Sequence, residues 1–289
     1  MNVLEGEREE RRRIQFEGRP EWTRVEGEEL VLMDGRRVLE SQAHYLPPCD
    51  PTKILCIHLN YESRRIEFRA SNLVTPTYFQ KPVTAVNSHR GMLNRPADCQ
   101  YLNYEGEVAV IIGAPMKNVA PEDTWKYIAG FAAGNDVGAQ DFRDTDAGGM
   151  TRVKGMDGFC PLGPGIVRGV DVRQSTLRTY LNGEMVQEGA IGEMTFGIDY
   201  QLADLSRHIT LMPGDILMSG TPANSRPMQP GDVVEVEVTG IGRLTNTVQD
   251  VPKPAHDVGH HPTDTDSVRR VALGGDWWAE QDALKQQGS

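Results

Sequence analysis

One short stretch, Tyr104-Glu105-Gly106-Glu107 at the head of the apolar run 108–112, limits this chain more than any other, because it sets two carboxylates at the mouth of a strand. Side chains alternate across a strand, so Glu105 and Glu107 share one face while Gly106 keeps the other face clear. Like charges held that close repel, and a proton, a basic side chain or an oxygen-seeking divalent cation must offset them. A third acid, Asp136, ends the small apolar run 132–136. Three acids from two strands suggest an oxygen-ligated metal. The ordinary alternative is a solvated strand end whose charges pair with Lys or Arg.

Length and charge bound the rest. A chain of 289 residues can bury a sizeable core, and a large domain with small appendages is favoured over one uniform unit. Lys and Arg number 30 against 41 Asp and Glu, a net charge of −11, which argues against nucleic acid or an anionic membrane as the main partner. Cys49, Cys56, Cys99 and Cys160 have neither paired metal spacing nor a redox pair, and the first residues lack an apolar signal core, so a cytoplasmic protein is expected. No run approaches membrane-spanning length, so no membrane partner is expected either.

Read in order, residues 1–50 form a small β-rich lobe: a frayed or helical lead-in over 7–13, then short strands around Ile14 and Val31. Pro47, Pro48 and Pro51 stiffen the boundary to a main domain over 51–250. There, 53–61 reads as a buried strand and 62–72 as a charged, Arg-rich segment suited to a short exposed helix. Pro121, Glu122 and Asp123 suit a helix N-terminus, with Trp125, Ile128 and Ala129 as its apolar stripe. The run 140–149 is too polar and glycine-rich for a core and reads as a functional loop. Asn182-Gly183 marks a hairpin, and Ile198, Leu202 and Leu205 keep helical spacing. The tail, 251–289, is proline-rich and polar and is expected to run over the surface or be disordered, with Trp277 and Trp278 docked.

Five stretches, in order, resemble the fumarylacetoacetate hydrolase superfamily: Leu59-Asn60-Tyr61, Tyr104-Glu105-Gly106-Glu107, Asn135-Asp136-Val137, the run 154–164, and Ser219-Gly220-Thr221-Pro222. Any one would be weak evidence; the ordered set, spanning about 53–250, is specific. The resemblance implies an α+β, predominantly β fold of rolled mixed sheets with a few helices, usually a homodimer, and makes 51–250 the catalytic domain. It also implies Mg²⁺ or Mn²⁺ held by Glu105, Glu107 and Asp136, with a small 2-oxo or dicarboxylic acid as the partner. Hard carboxylates choosing a hard cation with open positions agree with the strand argument.

The same resemblance puts Lys154 in the active site, where a lysine near a divalent cation stabilises an enolate oxygen or moves a proton; otherwise it is a surface lysine. Thr221, in a Gly-Thr-Pro turn, is a candidate for holding a substrate carboxylate, against a turn threonine bonding its own backbone. Arg143 is a candidate second carboxylate clamp, against a solvated loop arginine. Hydrolytic members of the family carry a histidine four residues after the motif asparagine and a glutamate three further on, a pair that activates water. Here these positions hold Arg64 and Glu67, so the acid is present and the base is a permanent cation. Glu67 is then expected in an ion pair, Arg64 near the substrate, and His58 or His89 as possible stand-ins for the base, although a lone strand histidine is more often core.

The expected activity is metal-dependent carbon–carbon bond cleavage in a 2-oxo or 1,3-dicarbonyl, acylpyruvate-like acid through a stabilised enolate. The replaced histidine keeps two alternatives open: an isomerase (keto–enol tautomerase) or a decarboxylase of hydroxymuconate-type acids. From another class, a non-catalytic metabolite-binding protein on the same scaffold is the rival.

Overall fold

The structure is a computed structural model that describes residues 2–146 and 148–287. The central element is the strand Gly106–Ile112, every residue of which is buried. It pairs antiparallel with Ile128–Asn135 on one side and with Ile216–Met218 on the other. The sheet continues from Ile128–Asn135 through Cys160–Arg168 to Glu9–Phe16, and from Ile216–Met218 to the parallel strand Ile54–Ile57 and then Tyr78–Lys81. A second sheet holds the hairpin Thr176–Leu181 and Glu184–Ala190, joined through Val233–Val238 and Gly242–Asp250 to Met92–Arg95. The architecture is α+β and predominantly β, as expected.

Burial on both faces explains the continuous apolar run. Val108, Val110 and Ile112 join Leu177, Val236 and the helix residues Ile198, Leu202 and Leu205 in one core. Ala109 and Ile111 point the other way, into a core with Phe79, Tyr104, Val153 and Phe159. Alternation therefore places Glu105 and Glu107 on the second face, and Gly106 on the first. The sheets meet so closely there that a Cβ on Gly106 would lie 2.1 Å from Thr179 Oγ1 and 3.3 Å from Val236 Cγ1.

Several local expectations are corrected. The lead-in over 7–13 is no helix: Glu9–Phe16 is a strand, held by pairing with Cys160–Arg168, Arg19–Glu26 and His44–Tyr45, and its one buried residue, Ile14, packs with Leu30 and Tyr45. Pro121–Tyr127 is a 3₁₀ stretch, and Ile128 and Ala129 begin a strand, since the small residues that follow suit close sheet packing better than a helix stripe. In the polar loop, Gln140, Asp141 and Phe142 are buried, because Asp141 accepts from Gln100 N (2.7 Å), Tyr101 N (2.9 Å) and Cys99 Sγ (3.0 Å). The tail is not structureless: it forms the helices Asp266–Leu273 and Gly275–Gln287, with Val268 and Ala272 buried and Trp278 stacked under the Arg69 guanidinium at 4.3 Å. Among the described residues the four cysteines are free and buried, and no helix is long and apolar enough to cross a membrane.

Gly106→Ala tests the sheet contact. Overpacking against a β-branched residue in a strand should destabilise the protein by about 1–3 kcal/mol. The urea unfolding midpoint checks it, and an unchanged midpoint would mean the sheets can part at no cost.

Candidate metal centre and active site

Glu105, Glu107 and Asp136 each present a carboxylate oxygen, and these oxygens lie within 4.8 Å of one another in a buried cluster. The strand register produces this. Gly106 lies opposite Asn135 and Glu107 opposite Gly134, so Glu105 meets Asp136 where the two strands end. Asp136 N donates to Glu105 O at 2.8 Å, and the Asn135 side chain accepts from Glu105 N at 2.8 Å.

Three cations converge on this charge. Lys154 ends the short helix Thr151–Lys154, and its Nζ lies 2.7 Å from Glu105 Oε2 and 2.9 Å from Asp136 Oδ2. Lys81 is fully buried, with Nζ on Asp136 Oδ1, 2.6 Å from Phe159 O and 3.2 Å from Val137 O. The Arg64 guanidinium reaches Glu105 Oε1 at 3.1 Å and Glu67 Oε2 at 2.7 Å. Burial alone would raise Asp136, but Lys154 and Lys81 outweigh it and hold its carboxyl below the ordinary value. Burial likewise opposes the charge on Lys154, yet Asp136 and Glu105 hold its ammonium above the ordinary value.

Glu107 differs. Gly220 N donates to its Oε2 at 2.8 Å, but among the described residues no basic side chain pairs with it. Burial, reinforced by the Asp136 charge, pushes its carboxyl well above the carboxylate range. Gly220 reaches it because its φ is +102° and a Cβ there would sit 2.6 Å from Asn60 Cβ. Asn60 in turn anchors this turn, donating to Ser219 O (2.8 Å) and Phe196 O (3.0 Å), so the motif asparagine is a tether beside the site.

The cluster forms the floor of a cavity of about 450 Å³ lined also by His58, Phe79, Gln140, Arg143, Thr221 and Arg270. A roomier groove of about 600 Å³, lined by Arg11, Arg13 and Trp22, does not include Glu105, Glu107 or Asp136. Thr221 Oγ1 accepts from Gln187 Nε2 at 3.0 Å, and its own hydroxyl proton has no acceptor among the described residues. Arg143 is half-buried, its one side-chain hydrogen bond among the described residues goes to Met150 Sδ at 3.9 Å, and desolvation lowers it from its ordinary value. His58 packs on Phe79 with ring centroids 4.7 Å apart, and burial, reinforced by Lys154, lowers it. His89 is elsewhere, a core residue accepting from Thr245 N at 3.0 Å.

Glu67 and Arg64 lie in the helix Glu62–Glu67, but Arg64 is buried rather than exposed, because it turns inward to Glu105. Burial would raise Glu67; Arg64 and Arg226 (2.7 Å) more than compensate and keep it ionised. Lys81, Gln187 and Arg226 escaped the sequence reading. Lys81 left a faint signal: in Tyr78–Lys81 it alternates in phase with buried Phe79. Gln187 left none, since its strand has no apolar phase to mark a buried position.

The residues fit a divalent cation. The donors are all hard oxygens, and the buried Glu107, with no basic partner among the described residues, is the place where positive charge is missing.

Residues 53–249 match the fumarylacetoacetate (FAA) hydrolase C-terminal family. The chain belongs to the fumarylacetoacetate hydrolase superfamily. It is 34% identical over 198 residues to the 4-hydroxyphenylacetate degradation bifunctional isomerase/decarboxylase of Salmonella dublin, covering 68% of this chain and 46% of that protein. It is 30% identical over 240 residues to the mitochondrial oxaloacetate tautomerase fahd2 of Xenopus laevis, covering 76% of this chain and 75% of that protein. Its fold resembles 5-carboxymethyl-2-hydroxymuconate delta-isomerase from Mycobacterium smegmatis, with a TM-score of 0.77 at 32% identity over 84% of this chain and 100% of that one. Members of the fumarylacetoacetate hydrolase superfamily are enzymes of small organic acids, commonly metal-dependent, and this chain carries the buried acidic trio on the family's fold.

Lys81→Met tests the charge balance of this member. It leaves two carbonyls and part of Asp136 unpaired while Lys154 still holds the carboxylate, so the loss should be about 3 kcal/mol, the lower end for a broken buried pair. Chemical denaturation checks it; wild-type stability would make Lys81 dispensable.

Proposed function

We propose that this protein is a divalent-metal-dependent enzyme, using Mg²⁺ or Mn²⁺, that turns over a small 2-oxo, enolisable dicarboxylic acid through its enolate without activating water. The reaction is keto–enol tautomerisation or decarboxylation; the latter is the form of carbon–carbon cleavage that releases CO₂ and leaves an enolate to be protonated. One observation carries the choice. Glu67 is locked between Arg64 and Arg226, each at 2.7 Å, so the position that would pair with a histidine to deprotonate water holds a saturated carboxylate instead.

The bound cation would supply Lewis-acid stabilisation of negative charge developing on the enolate oxygen. The remaining roles belong to side chains. Glu105, Glu107 and Asp136 hold the cation. Lys154, pinned on Glu105 and Asp136, presents a fixed positive charge and a proton at the cavity floor. Thr221 offers a hydroxyl proton, and Arg143 a guanidinium, that have no carboxylate or carbonyl acceptor at bonding distance among the described residues, to substrate carboxylate oxygens. Arg64 holds Glu105 in place, and His58 lines the cavity.

The function is tested with oxaloacetate, hydroxymuconate-type acids and acylpyruvates in the presence of Mg²⁺ or Mn²⁺. Tautomerisation or decarboxylation of the first two classes should exceed acylpyruvate hydrolysis by at least about tenfold. Faster hydrolysis would overturn the non-hydrolytic assignment, and tight binding with no turnover of any acid would favour a metabolite-binding protein. Metal dependence is tested separately: Glu105→Ala or Asp136→Ala should abolish Mg²⁺ binding by calorimetry and activity while the protein stays folded. Full activity after complete chelation would sink it.

A further inference from the structure

The family match ends at residue 249, yet the cavity wall does not. The helix Asp266–Leu273 contributes Arg270 and Val271 to the lining. It is held there by bonds at both ends. Thr263 N donates to Asp141 O at 3.1 Å, and the capping Thr265 hydroxyl donates to Asp144 Oδ2 at 2.6 Å, one residue from Arg143. At the far end, Asn103 Nδ2 donates to Ala272 O at 2.8 Å, and Gly275 N to Glu67 Oε1 at 3.4 Å. Arg226 then bridges Glu67 (2.7 Å) to Asp276 (2.6 Å), fastening the helices to the residues around the acidic trio.

Charge pairing separates the cavity's basic groups into two sets. Lys154 and Arg64 are both bound to carboxylates of the site. Arg143 and Arg270 make no direct ion pair with a carboxylate among the described residues, although Glu105 and Asp144 attract Arg143 from a distance and the next residue, Arg269, pairs with Asp264 at 2.6 Å. Two guanidinium groups left unpaired on one wall of a cavity repel each other unless an anion lies between them, and a planar fork matches a carboxylate.

We infer that Arg270, supplied by the C-terminal helix, joins Arg143 as the clamp for the substrate carboxylate remote from the acidic trio, and is the residue that makes the site prefer dicarboxylic to monocarboxylic 2-oxo acids. The role presupposes the 2-oxo acid reading of this cavity. It assigns the C-terminal segment to substrate selection, leaving the enolate chemistry to the residues within the family match.

The test is calorimetric binding of 2-oxoglutarate and 2-oxopentanoate, acids of equal chain length that differ in the distal carboxylate, to the full chain with Mg²⁺ present. Wild type should bind 2-oxoglutarate more tightly. Arg270→Ala should cut that preference about tenfold while leaving 2-oxopentanoate affinity unchanged, and Arg270→Lys should keep part of it. Because Arg270 has no ion-pair or hydrogen-bond partner among the described residues, thermal unfolding of Arg270→Ala should match wild type. An unchanged ratio, an equal loss for both acids, or a wild type that does not distinguish them would overturn the clamp. A wild type that binds neither acid would overturn both the clamp and the 2-oxo acid reading, whereas an intact binding ratio with no turnover of any acid would remove only the proposed reaction.

Discussion

Glu105 is the residue through which the site is held together. Its backbone is fixed by Asp136 N and the Asn135 side chain; one carboxylate oxygen takes Arg64 at 3.1 Å and the other takes Lys154 at 2.7 Å. A buried carboxylate isolated from water would be neutral or destabilising, and only several cations at bonding distance keep such a group charged. The compensation is uneven. Asp136 has two lysines, Glu105 a lysine and an arginine, and Glu107 none among the described residues. That asymmetry, rather than the mere presence of three acids, is why the cluster suits a cation: the charge still missing sits at one defined corner.

The two-sheet packing makes this arrangement possible. Gly106 lets the second sheet approach to contact with Thr179, and Gln187 from that sheet spans from Gly106 N at 3.1 Å to the Thr221 hydroxyl at 3.0 Å. The strand that carries the acids and the turn that carries Thr221 are thus bonded to one amide side chain. Small shifts of either would be felt by the other, which is what a site needing fixed donors requires.

Much of this was legible in the sequence, for reasons that differ by residue. The acidic trio announces itself because strand alternation is strict and charges at the mouth of an apolar strand stand out. The hairpin at Asn182-Gly183 and the helix Ile198–His208 follow from turn chemistry and period. Lys81 and Gln187 are hidden because their partners lie far along the chain, and polarity in a short strand reads as solvent exposure unless the partner is known. The tail misleads for a related reason: few of its residues are apolar, and its helices are held by side-chain bonds to Asp141, Asp144, Glu67 and Arg226 that no local pattern encodes.

Arg64 links the acidic cluster to the C-terminal helices. At a position where hydrolytic relatives are expected to keep a titratable base, a guanidinium stays charged at every working pH, so the change alters what the neighbouring acid can do. Glu67 becomes the centre of a structural network, with Arg64 linking it to Glu105 and Arg226 linking it to Asp276 of the last helix. A group so engaged cannot cycle a proton without breaking ion pairs that fix both Glu105 and the C-terminal wall. On the proposed reading, giving up water activation and recruiting the tail are therefore two consequences of the same substitution. The saturated Glu67 removes hydrolysis, and its bond to Gly275 N helps keep Arg270 over the cavity.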